Sequence, residues 1–197
     1  MRLFFAPDFS SLADHIALLE GGIAFEAVAV DIETKQLGDG GDYLAVNPKG
    51  QVPALQFDTG EVLTENVAIL AWIADRAPQL APPGELGRYR LLEMLGFITS
   101  EIHKRFPILF SLPEDAQEAM VGDIVRWFEF LEPRLDRGFL FGEAFGVADA
   151  YLFAMARGAL AMELPLGEAY RDYVARIEAR PAVQSALRRE RPDRKAQ

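Results

Sequence analysis

The sequence predicts an α/β half followed by an all-helical half, on three observations. Strand, helix and strand patterns succeed one another by residue 30, and a hairpin and helix follow by residue 76, spelling βαβ and then ββα in one mixed sheet. Residues 77–87 then hold three prolines (Pro78, Pro82, Pro83) and two glycines (Gly84, Gly87), a composition that interrupts regular structure. Beyond them strand patterns vanish. The expected organisation is a first domain over 1–76, a linker over 77–87 and a helical domain over 88–197.

Residues 2–6 read as a buried strand ended by Pro7 and Asp8. Ser10 or Ser11 is placed to cap a helix with apolar positions Leu12, Ile16 and Leu19, stopped by Gly21 and Gly22. Phe25–Val30 alternates as a second strand, making a parallel crossover the expected arrangement. Arg88–Phe110 is helical with a bend expected at Pro107, and a further helix from Pro113 to about Asp136 must tolerate Gly122 and Pro133. Val147–Glu163, Glu168–Arg180 and Ala182–Arg189 complete the helical half.

Charge narrows the partners. The 197 residues carry 20 Lys and Arg against 30 Asp and Glu, a net charge of -10, which argues against nucleic acid or an anionic membrane. Five basic and two acidic residues fall in the last ten, from Arg188, which read as a solvated end. With no cysteine there is no disulfide, no Cys-based metal site and no thiol of the protein's own, so thiol chemistry would need an external thiol. No metal is expected. The short apolar run after Arg2 lacks the length of a secretory signal and no 18-residue apolar stretch occurs, so a cytoplasmic protein is expected.

The stretch from Asn47 to Asn66 carries the functional signal. A turn through Pro48 and Gly50 leads to Val52-Pro53 and the apolar run Ala54, Leu55, Gln56 and Phe57; Asp58, Thr59 and Gly60 connect to Glu61, Val62 and Leu63. Thr64, Glu65 and Asn66 then stand at the mouth of a helix. Were Val52-Pro53 cis, Val52 would present an unpaired backbone donor and acceptor, to which an extended peptide could add as a short strand. The alternative is an edge strand merely started by proline. Free N–H groups at the helix mouth suit a carboxylate, whereas Glu65 either favours the helix dipole or receives a ligand ammonium.

Asn47-Pro48-Lys49-Gly50-Gln51-Val52-Pro53-Ala54-Leu55, followed by Leu63-Thr64-Glu65, resembles the glutathione-binding core of bacterial glutathione transferases, the beta class in particular. Met1–Phe4 with Pro7, Ser11–His15, Glu101–Lys104 and Val147–Phe153 extend the resemblance over nearly the whole chain. It implies a thioredoxin-like N-terminal domain, an all-α C-terminal domain and a two-fold homodimer that conjugates glutathione, as co-substrate, to small apolar electrophiles. Val52 would pair with the cysteinyl backbone, with Gln51 and Pro53 beside it. Glu65 and Asn66 would hold the γ-glutamyl end, and Lys35, His103 and Lys104 would line the rest.

Two departures bear on the chemistry. The family's usual cysteine is matched by Ser10 and its usual tyrosine by Phe5, so Ser10, then Ser11, become the candidate sulfur contacts, with His103 the third catalytic candidate. Phe5, Phe9, Phe106 and Phe110 could wall an apolar co-substrate pocket, and His15 reads as structural. Gly146 stands where the family prefers Ser or Thr as a helix cap, at a small expected stability cost. Two other readings follow from the departures: a glutathione-binding protein without turnover, or a glutathione-dependent reductase or peroxidase.

Overall fold

The computed structural model describes residues 1–191; the end of the basic tail, 192–197, lies outside the described residues. Four strands form one sheet in the order β2-β1-β3-β4, with β1 Arg2–Phe5, β2 Glu26–Ala29, β3 Ala54–Gln56 and β4 Val62–Thr64. β1 pairs parallel with β2, and antiparallel with β3, which pairs antiparallel with β4. Parallel strands need a crossover connection, supplied by α1 (Ser11–Glu20), while the β3–β4 hairpin feeds α2 (Asn66–Arg76).

Alternation along the strands sorts the core. Leu3 and Leu55 join the main apolar cluster with α1 and α2, whereas Phe4 and Ala54 point to the other face and pack with Val30 and Tyr43. The main cluster runs without a break from Leu3 to Ala186, because α1 packs on both α6 (Val147–Ala161) and α8 (Pro181–Glu190). The two halves are therefore joined through one core. The segment expected as linker contains a short 3-10 turn at Pro78–Leu80 that buries Leu80.

The remaining helices are α3 (Gly87–Phe97), α4 (Arg105–Ser111), α5 (Glu114–Leu131) and α7 (Glu168–Glu178). The break expected at Pro107 occurs earlier. Ile98–His103 is a π-helical segment, closed by the Lys104 N–H donating to the Thr99 carbonyl at 3.1 Å. Pro107 falls in the first turn of α4, where its missing N–H costs nothing. α5 likewise stops at Leu131 rather than Asp136, and Pro133 sits near the start of a 3-10 turn. Arg188 and Arg189 belong to α8, whose last residue, Glu190, is buried.

Gly146 does more than stand in for a cap. A Cβ at that position would lie 2.7 Å from the Leu80 carbonyl oxygen, so the close approach of the two segments requires glycine. The α6 terminus is secured by the Asp149 carboxylate, which accepts from the Gly146 N–H at 2.9 Å and the Leu140 N–H at 2.8 Å. Burial pushes that carboxyl up to about 6, against those hydrogen bonds.

Candidate active site

A cavity of about 440 Å³ opens between the 47–67 stretch on one side and the π segment with α6 on the other. On the strand side, the corner is built from the inside out. Tyr43 is fully buried and its hydroxyl donates to the Gln51 carbonyl at 2.7 Å, where the Asn47 side-chain amide also donates at 2.7 Å. Gly50 adopts φ 62°, which closes the turn on Asn47 and brings its carbonyl to the Lys35 ammonium at 3.0 Å. These anchors hold the next residues in place. The Val52-Pro53 bond is cis, and the Val52 N–H and carbonyl make no hydrogen bond with any described residue.

α2 begins beside that free edge. Glu65 takes φ 75°, so the chain turns sharply into the helix and the N–H groups of Asn66 and Val67, which have no partner within the helix, lie at the cavity. The Glu65 carboxylate is paired with the Lys49 ammonium at 2.5 Å, and Lys49 also donates to the Thr64 hydroxyl at 2.8 Å. Two cations, the free Val52 edge and a helix terminus thus line one wall. Such a surface takes a peptide-like ligand with an ammonium at one end and carboxylates at both.

Ser10 lies beneath this wall and lines the cavity, 6% exposed. Its hydroxyl is engaged by Asn66. The Asn66 amide nitrogen donates to the Ser10 carbonyl at 3.1 Å and to the Asp14 carboxyl at 2.7 Å, leaving its oxygen to accept the Ser10 hydroxyl proton at 3.0 Å. The Asn66 side chain is therefore committed within the protein, and its backbone N–H is what it offers the cavity. Asp14 is wholly buried with one oxygen unpartnered, and burial pushes its carboxyl well above the usual range.

Ser11 is elsewhere. Its hydroxyl accepts from the Ala6 N–H at 3.2 Å and donates to the Ala6 carbonyl at 3.3 Å, and it is fully buried away from the cavity. The hydroxyl turns back to satisfy the chain that leaves β1. Neither serine caps α1 with its side chain. His15 is buried in α1, with Nδ1 2.9 Å from the Glu190 carboxylate, and burial raises that carboxyl.

The helical wall comes from the π segment and α6. Thr99, His103, Lys104, Pro107 and Tyr151 line it. The wider turn sets Thr99 and His103 on one side, where the Tyr151 hydroxyl lies 3.2 Å from Thr99 Oγ1 and 2.7 Å from His103 Nδ1. Burial, then the Lys104 ammonium, hold His103 below its ordinary value, with Glu65 opposing. The lowered value favours the neutral imidazole at pH 7.

Of the expected site residues, Ser10, Lys35, Gln51, Val52, Pro53, Glu65, Asn66, His103, Lys104 and Phe9 meet at the cavity; Ser11, Phe5, Phe106 and Phe110 do not. Phe5 is buried with its ring 5.5 Å from His15, Phe106 packs on the core, and Phe110 is 70% exposed. The π segment explains the last two, since it rotates α4 relative to a straight helix. Pro107 and Ile32 provide apolar lining with Phe9 instead. Sequence reasoning missed Thr99 and Tyr151, whose signal was a pair of hydroxyls in otherwise apolar helical runs. Among the described residues no cluster of three or more His, Cys, Asp or Glu could hold a metal ion, and no helix is long and apolar enough to cross a membrane.

Comparison with known proteins gives the family. Residues 14–76 match the family described as glutathione S-transferase, N-terminal domain. Glutathione S-transferase GstA of Escherichia coli O157:H7 is 42% identical, over 95% of this chain and 97% of its own. A bacterial beta-class glutathione S-transferase from Sphingomonas chungbukensis is 44% identical and superposes with a TM-score of 0.87 over 97% of this chain and 99% of its own. A sphingomonad glutathione S-transferase solved in complex with glutathione is also 44% identical, with a TM-score of 0.87 over 96% and 98%. With the cis-proline corner, the α2 terminus and likeness over nearly the full length of both chains, this protein belongs to the glutathione S-transferase family.

Proposed function

We propose that the chain conjugates glutathione to small, mainly apolar electrophiles, and that the cavity is where the two meet. The observation that carries this reading is the unpaired Val52 backbone beside the α2 N-terminus, which matches an extended tripeptide with a carboxylate at its γ-glutamyl end. In this reading the cysteinyl unit pairs with Val52, with Gln51 and Pro53 flanking it. The γ-glutamyl carboxylate meets the N–H groups of Asn66 and Val67, and its ammonium displaces Lys49 from Glu65. Lys35 and Lys104 offset the glycyl carboxylate, and Phe9, Ile32 and Pro107 receive the electrophile.

The thiol then lies between Ser10 and the helical wall. His103 accepts the thiol proton as a neutral base, the sulfur keeps the electron pair, and the thiolate attacks the electrophilic carbon, forming the C–S bond as the bond to the leaving group breaks and that group, halide for an aryl halide, departs with its electron pair. A two-fold homodimer is part of the proposal and is checked by light scattering. Calorimetry with reduced glutathione tests the site: a Kd at or below the millimolar range supports it, and absence of heat at millimolar ligand overturns it. Turnover of an aryl halide with glutathione, against a hydroperoxide, separates conjugation from a peroxidase reaction.

A further inference from the structure

The helical wall contains a hydrogen-bond chain whose polarity can be followed from end to end. Thr99 Oγ1 lies 2.8 Å from the Leu95 carbonyl oxygen, which can only accept, so the one Thr99 proton is spent there. For their 3.2 Å contact to carry a proton as well, Tyr151 donates to Thr99, the one assignment that makes all three contacts hydrogen bonds. With the Tyr151 proton spent in turn, His103 Nδ1, at 2.7 Å, must donate to the tyrosine oxygen.

We propose that Thr99 and Tyr151 are positioning residues that fix His103 as the Nδ1-protonated tautomer, so that its unprotonated Nε2 is the acceptor available to a thiol in the cavity. The inference rests on the glutathione reading of that cavity, and on His103 as the thiol base, for its use but not for its geometry. Neutral histidine in water prefers the opposite tautomer, with the proton on Nε2. Left to itself the ring would present a donor, which cannot take a proton. The chain from Leu95 reverses that preference.

The surroundings keep the chain in this state. Burial holds the Tyr151 hydroxyl above its ordinary value, so it stays a donor. The charged groups acting on His103 are Lys104, its chain neighbour, and Glu65 from the start of α2, while Tyr151 meets it from α6. Proton transfer breaks the thiol S–H bond and forms Nε2–H. The imidazolium so formed keeps Nδ1–H on Tyr151, the sulfur keeps the electron pair, and nothing is oxidised or reduced. After conjugation the proton leaves to water.

Nitrogen-15 NMR of the full, ligand-free chain at neutral pH tests this directly, since there are only two histidines and the His103→Gln spectrum assigns them. His103 should show a protonated Nδ1 and an unprotonated Nε2. In Thr99→Val the tyrosine proton loses its acceptor and turns onto Nδ1, so the tautomer should invert and kcat/KM for conjugation fall about 10-fold at pH 7; Thr99→Ser should restore both. Tyr151→Phe should also release the tautomer, with Thr99→Val deciding the matter if the phenylalanine variant does not fold. An Nε2-protonated His103 in the parent chain, or an unchanged tautomer in Thr99→Val, overturns the proposal. Failure to bind glutathione with the expected tautomer intact would overturn the functional reading alone.

Discussion

The two walls of the cavity are made of different material. The strand-side wall offers backbone groups and exposed charges: the free Val52 edge, the α2 N–H groups, and a Lys49–Glu65 pair whose side chains are 48% and 65% exposed. The helical wall offers buried and half-buried side chains joined by hydrogen bonds, from Leu95 through Thr99 and Tyr151 to His103. One wall is suited to recognising a charged peptide in water and the other to moving a proton out of water. Binding and chemistry should therefore separate under mutation.

The largest expected effect breaks the strand-side wall. Glu65→Gln removes the charge proposed to receive the ligand ammonium, and a hydrogen bond to a charged group contributes about 1.5–3 kcal/mol, so glutathione binding should weaken roughly 10- to 100-fold. The change should appear in KM and calorimetric Kd, with kcat nearly kept. A fall in kcat alone would show that the two walls do not divide the work.

His103→Gln breaks the helical wall instead. A thiol of ordinary pKa about 8.5 is roughly 3% ionised at pH 7, so the most that ionisation can contribute there is about 30-fold. Loss of the base should lower kcat/KM about 10- to 30-fold at pH 7, and the deficit should shrink as pH rises past about 8.5. In the parent chain activity should instead rise through the lowered pKa of His103, below 6.5, and then level off. A deficit independent of pH would mean that His103 positions the ligand and takes no proton.

Much of this was legible in the sequence, and what was not has a physical pattern. The hairpin, the proline corner and the entry into α2 are local, written by turn residues and apolar alternation within twenty positions. The same local logic misplaced Ser11, because two adjacent hydroxyls look equivalent until the chain leaving β1 claims one of them through Ala6. It also misplaced Phe106 and Phe110, because one wider turn at Ile98–His103 rotates everything after it. Tyr151 escaped notice because its partners lie about fifty residues away, and no spacing rule reaches that far.

A smaller effect concerns the floor beneath the strand-side wall. Asp14 has its carboxyl raised by burial, so the folded state holds a proton there that the unfolded chain has released above about pH 4. Its contribution is thus fully present below the ordinary carboxylate value and is lost as pH rises through the raised one. Asp14→Asn keeps the neutral shape, so thermal melts should show the variant gaining stability relative to the parent as pH rises above about 4. A constant difference would mean that the folded and unfolded chains hold Asp14 in the same protonation state across that range.

Ser10→Ala should have the smallest effect on turnover, no more than about threefold in kcat/KM. Its hydroxyl proton is already held by Asn66, whose amide orientation is settled by the Ser10 carbonyl, an acceptor that cannot reverse. The serine thus turns lone pairs toward the cavity and would accept from a thiol rather than donate to a thiolate, which does not favour ionisation. Donation to sulfur would require giving up the Asn66 contact, a net exchange of one hydrogen bond for another. Removing the hydroxyl also leaves the buried Asn66 oxygen without its partner, so the same substitution should lower the melting temperature while leaving conjugation almost intact. A loss above 10-fold with an unchanged melting temperature would reverse the assignment, making Ser10 the sulfur's donor and placing part of the chemistry on the strand-side wall.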